Sequence, residues 1–563
     1  ASDADAAAAR RKAMSTIEEA ARTETGLDCQ MVTLFHGGQY HLYCYKTYTD
    51  IRLVFAPEAQ IAFFGGDTDN FEYPRYCLDM CFFRIYEDNA PLKPENHLRW
   101  SADGADENEL IFVFGHPGRT RRLYTVDHLE FLRDTVQPMQ LRSLYRREVQ
   151  LAAFGRRSKE FARISNEDLS GVQNNRKRDE GLLAGMQNPA LVAKKTAAEQ
   201  QLRSAVDANP EYKDKWGNAW SRIAEAEKKY GQMYTDHWLL GANRFLAGSA
   251  LGALSRDLVR LGDELPKPSA DRLREYRDSN LESLYLDLYS PAPIYENLEI
   301  EKLSSGLSLM ASLLGGDDQR VVKALAGKSP QARAEELVAG TKLKDVAFRK
   351  QLAEAAAAGN GGAAIKAAND PLLSYFASLD ADSRAARKAY EDQVESVERD
   401  AYAKIAAAKF AIQGADQYPD ATFTLRLSYG TAKSYQQDGA IIPPFTTFNG
   451  LFERHTERFG GGTEDPFALP QRWLDRKEKL DLSTPYNMVT TADIIGGNSG
   501  SPVVDKRGEV VGLIFDSNVQ ALIGDMMYSP EAGRSVAVDS RGIIEALRKV
   551  YAADALAKEI TGR

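Results

Sequence analysis

The residues 496–502 form the run whose composition most directly suggests chemistry, Gly-Gly-Asn-Ser-Gly-Ser-Pro, and an apolar segment follows. A serine nucleophile needs its hydroxyl exposed on a tight turn, with two backbone N–H groups directed at the developing oxyanion. Glycine permits the backbone angles that bring such groups together. The run therefore predicts Ser499 as a nucleophile, with the amides of Gly497 and Ser499 as oxyanion donors. A glycine-serine loop without chemical importance is the alternative.

Three aspartates, Asp67, Asp69 and Asp79, stand in the span 64–84. A carboxylate is the group that orients the histidine base of a serine peptidase. Asp79 directly precedes an apolar strand. A serine peptidase built from β-barrels carries the aspartate that orients its histidine at such a position. Asp67 and Asp69 lie in a glycine-rich turn, and we expect them to cap it. Asp79 is therefore the predicted triad aspartate.

The elements that must position these residues change in character along the chain. Residues 1–27 predict an N-terminal helix, and residues 28–139 have the alternation typical of strands. Residues 140–413 are rich in helix-forming residues, whereas residues 414–563 are strand-like again, with a hairpin around 503–515 and a closing helix from about Ser540 to Lys558. This order predicts a β + α fold: part of a first β-barrel, an α-helical insert domain, then a second β-barrel with a C-terminal helix.

Composition excludes several classes of function. The 563 residues include 71 basic and 80 acidic side chains, and the resulting net charge of -9 argues against nucleic acid as the main partner. No apolar run reaches the roughly 18 residues of a membrane span. The cysteines are Cys29, Cys44, Cys77 and Cys81, and they could form disulfides or remain as buried thiols. No Cys-x-x-Cys pair occurs, and we expect neither a metal site nor a cofactor.

With these motifs the chain resembles a family of exo-acting serine peptidases, the bacterial dipeptidyl-peptidases 7 and 11. The resemblance rests on Gly65-Gly66-Asp67-x-Asp69-Asn70, on Pro74-Arg75, on the residues 115–120 and on the Ser499 run. It also rests on layout, because that family splits a chymotrypsin-like double β-barrel with a large all-α domain. The resemblance implies a serine exopeptidase that releases dipeptides from the free N-terminus of oligopeptides. It further implies a homodimer in the periplasm or at the cell surface.

The resemblance also assigns residues to the substrate's free amine. Asn70 and Asp516 would hold the ammonium group by charge-assisted hydrogen bonds. Phe71 stands where the family often has Trp, so this contact loses its indole N–H. Asn174 would be the asparagine contributed by the helical segment, and Asn175 matches nearly as well.

Ser517 follows Asp516, and the resemblance connects this position with the residue at P1 of the substrate. In the family, Gly here goes with hydrophobic P1 residues, whereas Arg or Ser goes with acidic ones. Ser517 therefore predicts a preference for Asp or Glu at P1. A hydroxyl is a weaker anchor for a carboxylate than a guanidinium is.

The general base departs from the family pattern. The family's histidine lies upstream of the aspartate in a Thr-Asn-His-His-Cys-like segment, and no histidine of this chain stands in such a segment. His36 and His41 precede Asp79, but their strand-rich surroundings favour a structural role. We expect a fragment that lacks the N-terminal strands and the base and is close to inactive as given. A trypsin-like endopeptidase and a non-catalytic peptide-binding homologue are the competing hypotheses.

Overall fold

The structure is a computed structural model that describes residues 2–414 and 416–562. Its contacts divide the chain into two units. The first unit is Ala1–Lys46, Thr125–Val172 and Ala197–Asp416, and the second is Thr47–Tyr124, Gln173–Thr196 and Gln417–Arg563. None of the helices described in these ranges is long and apolar enough to cross a membrane.

The α-helices follow one another along the chain. They are α1 (Asp3–Thr25), α2 (Ala59–Ala62), α3 (Gly66–Asp69), α4 (Val126–Phe131), α5 (Gln137–Gly155), α6 (Lys159–Gln187), α7 (Pro189–Asp207), α8 (Pro210–Trp216), α9 (Ala219–Asp236), α10 (Ala250–Glu264), α11 (Asp278–Leu288), α12 (Glu296–Leu314), α13 (Gln319–Leu325), α14 (Pro330–Gly340), α15 (Val346–Ala357), α16 (Gly361–Ala368), α17 (Pro371–Tyr390), α18 (Ser396–Gln413), α19 (Phe448–Arg458), α20 (Gln471–Asp475), α21 (Ser540–Glu545) and α22 (Asp554–Thr561).

The strands occupy both ends of the chain. They are β1 (Asp28–Leu34), β2 (Gln39–Tyr45), β3 (Asp50–Phe55), β4 (Phe82–Glu87), β5 (Ala90–Pro91), β6 (Arg99–Trp100), β7 (Leu110–Gly115), β8 (Arg426–Thr431), β9 (Tyr435–Gln437), β10 (Ala440–Ile442), β11 (Phe445–Thr447), β12 (Pro485–Thr490), β13 (Pro502–Asp505), β14 (Glu509–Ser517) and β15 (Ser535–Asp539).

The first unit is built from helices and one hairpin. Ser2 caps α1 and forms a capping box with Asp5, and Gly26 ends the helix in the left-handed conformation. The helix predicted near the N-terminus is therefore confirmed. The antiparallel hairpin β1–β2 follows, and it places Cys29 opposite Cys44 with their Sγ atoms 2.9 Å apart. All four cysteines are free thiols in the structure.

The second unit contains the sheet that carries the candidate site. Its strand order is β11-β12-β15-β14-β13-β7-β8, all neighbours are antiparallel, and β6 pairs with β14 in parallel. The strand β7 comes from the N-terminal part of the chain, yet it lies between β13 and β8 from the C-terminal part. Together with the helices this makes a mixed α/β protein with antiparallel sheets, which confirms the coarse fold class. The four segments predicted from the sequence stay a prediction.

Two predicted elements of the C-terminal part had different outcomes. The predicted hairpin is confirmed as β13–β14, with a register shift between Val503 and Val504. The predicted closing helix is instead two helices, α21 and α22, and the chain breaks where Ala552 has a φ of 53°. At this break the hydroxyl of the half-buried Tyr551 makes tertiary contacts: it accepts from Trp473 Nε1 at 3.1 Å and donates to Glu58 at 2.7 Å.

Gly306 lies inside α12, at a place where the first unit is tightly packed. A Cβ added at Gly306 would clash with the carbonyl oxygen of Phe245, whereas a Cβ added at Gly171 in α6 meets no described atom within 4 Å. We expect Gly306→Ala to lower the free energy of unfolding by about 1–3 kcal/mol through overpacking. The control Gly171→Ala should raise it by up to about 1 kcal/mol, because alanine favours helix. Urea unfolding followed by circular dichroism measures both, and equal shifts would contradict the packing argument.

Candidate active site

Ser499 lies on an exposed loop between β12 and β13, and backbone hydrogen bonds hold the loop immediately after it. The N–H of Gly500 donates to the carbonyl of Ile514 at 2.7 Å, and the N–H of Ser501 donates to the carbonyl of Asn498 at 2.9 Å. The side chain of Asn498 is buried below the turn. The serine is therefore accessible on a turn that neighbouring backbone groups keep in place, which is the placement that a nucleophilic serine requires.

The turn needs glycine at position 497. Gly497 has a φ of 105°, and a Cβ added there would lie 2.6 Å from the carbonyl oxygen of His116 and 2.7 Å from the amide nitrogen of Gly118. The N–H of Gly118 donates to the carbonyl of Gly496 at 2.8 Å. The loop that contains His116 and Gly118 therefore packs directly against the nucleophile turn.

Asp516 lies at the end of β14 and forms a buried ion pair with Arg75. Nη1 of Arg75 is 2.5 Å from Oδ2 of Asp516, and the two side chains are only 1% and 6% exposed. The same Oδ2 accepts the N–H of Phe71 at 3.2 Å, while Oδ1 accepts the N–H of Ser517 at 2.8 Å. The carboxylate therefore fixes the segment around residues 71–75 to the end of this strand.

Three further hydrogen bonds attach this segment to the sheet. The hydroxyl of Thr446 donates to the carbonyl of Arg75 at 2.9 Å. The buried side chain of Asn487 accepts the N–H of Cys77 and donates to its carbonyl, both at 2.8 Å. These contacts determine where the chain runs as it approaches Asp79, two residues after Cys77.

Asp79 is exposed to solvent, but the surrounding protein still changes the pKa of its carboxyl group. Desolvation by the surrounding protein raises the pKa of Asp79 to about 6, the Arg75 guanidinium opposes this rise, and the Asp516 carboxylate adds to it. The group is therefore ionised mainly above pH 6. The structure brings Asp79 into the electrostatic field of the Arg75–Asp516 pair.

The predicted amine-binding asparagines are brought together. Asn70 is buried, and its Nδ2 donates to Oδ1 of the exposed Asn174 at 3.0 Å. Nζ of Lys177 donates to the carbonyls of Asp67 and Asn70, each at 2.7 Å, and so binds the end of α3. Between the two alternatives left by the sequence, this contact favours Asn174 over Asn175 as the neighbour of Asn70.

Phe71 and Ser517 flank the carboxylate of Asp516. Phe71 is buried and has a φ of 56°, a conformation that is uncommon for a bulky residue. Its hydrogen bond to Asp516 helps to hold this conformation. Ser517 is half-buried, and it pairs with Ser535 in the sheet.

Sequence reasoning missed the charge partners at this site. The motif Pro74-Arg75 supported the resemblance, but the sequence predicted no role for Arg75 or for Lys177. A third missed residue is Arg454, whose guanidinium lies 2.5 Å from the buried carboxylate of Asp69. Arg75 and Asp516 are 441 residues apart, so no local spacing could have shown that they pair.

The histidines lie at several places in residues 2–414 and 416–562. No hydrogen bond joins a histidine to Ser499 or Asp79 in those ranges. Nδ1 of His455 lies 2.8 Å from the carbonyl of Phe467, and Nδ1 of His237 lies 2.7 Å from the hydroxyl of Tyr230. His116 is exposed on the loop beside Gly497.

Comparison with known proteins agrees with the sequence motifs. The family model described as Peptidase S46 matches residues 1–562. The Asp/Glu-specific dipeptidyl-peptidase of Shewanella putrefaciens is 28% identical over 94% of this chain and 77% of its own length. The dipeptidyl-peptidase 7 of Capnocytophaga gingivalis is 26% identical over 94% of this chain and 75% of its own length.

A solved structure shows the same fold. The crystal structure of Porphyromonas endodontalis DPP11 in complex with the dipeptide Arg-Glu superposes with a TM-score of 0.77 at 21% identity, covering 97% of this chain and 80% of that one. Fold and relatives together define the class as a serine-type dipeptidyl-peptidase. The chain belongs to the peptidase S46 family.

The two adjacent glycines of the turn provide a matched pair of substitutions. Gly497→Ala forces a left-handed φ on alanine and a clash with His116 and Gly118, so we expect it to lower the free energy of unfolding by about 1–3 kcal/mol. Gly496→Ala should change it by less than about 0.5 kcal/mol, because its Cβ meets no described atom within 4 Å. Thermal unfolding compares the variants. An unchanged Gly497→Ala protein would show that the turn adapts to a side chain.

Proposed function

We propose that this chain provides the nucleophile and the substrate pocket of an exopeptidase that removes dipeptides from the free N-terminus of oligopeptides. The observation that carries this proposal is that β14 both contacts the turn after Ser499 and carries Asp516. Ile514 holds the turn after Ser499, and Asp516, two residues further along, is the proposed amine anchor. Two strand residues span about 6.6 Å. That is the length of two extended residues of a substrate, which supports release of dipeptides.

In the proposed reaction, the hydroxyl oxygen of Ser499 attacks the carbonyl carbon of the second substrate residue and gives its proton to the general base. The peptide bond to the third residue then breaks, its amine leaves with that proton, and water releases the dipeptide from the serine ester. The amides of Gly497 and Ser499 stabilise the oxyanion, and the positive φ of Gly497 supports this role. Asp79 is the proposed triad aspartate. Its pKa of about 6 means that it would orient a histidine as a carboxylate above that pH.

The proposed amine site consists of Asp516 with Asn70 and Asn174, next to Phe71. Asp516 is already paired with Arg75, but a carboxylate offers about four lone-pair positions and can accept a further donor. The contact between Asn70 and Asn174 supports placing their amide oxygens at the same ammonium group. A peptide with a blocked N-terminus would leave these polar groups without their cation.

Ser517 supports the proposed preference for Asp or Glu at P1. It directly follows the amine anchor, and several relatives are named Asp/Glu-specific, among them the enzyme of Porphyromonas gingivalis at 26% identity. The proposed contact is a hydrogen bond from the Ser517 hydroxyl to the P1 carboxylate. Such a bond to a charged group contributes about 1.5–3 kcal/mol.

The remaining expectations from the resemblance belong to the same proposal. They are a chymotrypsin-like double barrel split by the helical domain, a homodimer, and a location in the periplasm or at the cell surface. The pairing of β7 with β13 and β8 supports the split arrangement, because it joins the N-terminal and C-terminal parts in one sheet. We also propose that the general base is not among the seven histidines of these 563 residues, since none lies in a Thr-Asn-His-His-like segment.

The amine anchor can be tested by binding, which requires no general base. We expect a dipeptide with a free amine and a C-terminal Glu to bind this chain at least about tenfold more tightly than its N-acetylated form, because acetylation removes the charge-assisted hydrogen bonds. Isothermal titration calorimetry measures both affinities. Ser499→Ala is the control, because it removes the proposed nucleophile and should leave the ratio unchanged. Equal affinity for the two ligands would overturn the exopeptidase proposal.

The P1 preference is testable with the enzyme produced from its complete gene. We expect Ser517→Gly to lower kcat/KM for dipeptidyl substrates with P1 Glu by about 10- to 150-fold, corresponding to the loss of one hydrogen bond to a charged group. Activity on P1 Leu substrates should fall much less. Ser517→Thr retains the hydroxyl and serves as the matched control. If the ratio of Glu to Leu cleavage stayed constant in Ser517→Gly, the hydroxyl would have no role in P1 selection.

A further inference from the structure

Side chains from three helices meet in the interior of the first unit. His128 belongs to α4, Glu227 to α9 and Glu398 to α18. Nδ1 of His128 lies 3.0 Å from Oε1 of Glu227 and 4.0 Å from Oε1 of Glu398. Tyr402, one helical turn after Glu398, places its hydroxyl 3.0 Å from the same Nδ1. One imidazole, two carboxyl groups and one phenol hydroxyl therefore lie close together.

Glu227 lacks the partners that a buried carboxyl group normally has. It is 3% exposed, and its carboxyl oxygens have no hydrogen-bond partner among the described residues apart from the neighbouring carboxyl group of Glu398. Buried polar atoms are almost always satisfied, so an exception of this kind requires an explanation, and a bound ion is one of the few available.

The charges around the cluster also favour a cation. The acidic groups of Glu398 and Asp127 lie in the electrostatic surroundings of Glu227. Glu398 faces a further acidic group, Glu395, and two basic ones, His36 and Arg399. A divalent ion among the two carboxylates would remove their mutual repulsion and offset the cost of burying them.

We infer that His128, Glu227 and Glu398 bind one divalent transition-metal ion, Zn²⁺ in the first instance, with the Tyr402 hydroxyl or a water molecule as the fourth ligand. Zinc bonds to His nitrogen and carboxylate oxygen are about 2.0–2.2 Å long, so neighbouring ligand atoms of a tetrahedral site lie about 3.4 Å apart. The separations of 3.0 and 4.0 Å lie on either side of this value. One ligand atom from each residue already lies within 4.8 Å of the others.

This site is independent of the proposed peptidase function, because all its ligands belong to the first unit, whereas Ser499 and Asp516 belong to the second. Its effect would be structural, since one ion would connect α4, α9 and α18. The sequence predicted no metal site because the ligands are spread over 270 residues and no short metal-binding motif contains them.

The experiment uses the 563-residue chain after removal of metals with a chelator. We expect isothermal titration with ZnCl₂ to show one zinc per chain and thermal unfolding to shift upward by about 2–4 °C. Co²⁺ in place of Zn²⁺ should give the visible absorption bands of a tetrahedral site. Glu227→Gln is the primary variant, because the amide has the shape of the protonated acid and should preserve the fold. Zinc affinity should fall at least about 100-fold in this variant.

His237→Gln is the matched control, a half-buried histidine of the same unit that pairs with Tyr230 outside the cluster. Its zinc affinity should equal that of the wild type. Absence of stoichiometric zinc binding would overturn the inference, and so would equal affinity in Glu227→Gln and His237→Gln. A more stable Glu227→Gln protein without zinc binding would show instead that the two carboxyl groups share a proton.

Discussion

The buried ion pair between Arg75 and Asp516 is the interaction on which the candidate active site depends. Both side chains are withdrawn from water, and removing one partner from such a pair leaves an uncompensated charge that costs about 3–5 kcal/mol. The same carboxylate binds the N–H of Phe71, which holds that residue at a left-handed φ. Asn70 precedes Phe71 directly, so its position beside Asn174 depends on the same charge pair.

The strand β14 connects this ion pair with the turn of Ser499. The backbone of Ile514 binds the turn that follows Ser499, and Asp516 stands two residues further on. The hydrogen bond from the N–H of Gly500 to the carbonyl of Ile514 therefore attaches the loop of Ser499 to the strand that carries Asp516. Gly497 completes the arrangement, because only glycine fits against the loop of His116 and Gly118 at its positive φ.

Local signals predicted several elements well and failed where tertiary contacts override propensity. The N-terminal helix has its own cap residues, Ser2 and Gly26. The hairpin β13–β14 has a polar turn between apolar strands. Both elements could therefore be predicted from a few neighbouring residues. The break in the predicted closing helix could not be predicted from neighbouring residues. Its composition is helical throughout, but the contacts of Tyr551 with Trp473 and Glu58 accompany a break that no local pattern signals.

By itself the sequence determined the family, the Ser499 turn and the broad order of the elements along the chain, which is strands, then helices, then strands. These properties follow from neighbouring residues, since the backbone freedom of glycine and the periodicity of apolar side chains act over a few positions. Only the tertiary structure decided that Arg75 pairs with Asp516, 441 residues away, and that Glu227 lies beside His128 and Glu398. Such contacts arise from the folding of distant segments onto one another, and they leave no spacing in the chain from which they could be inferred.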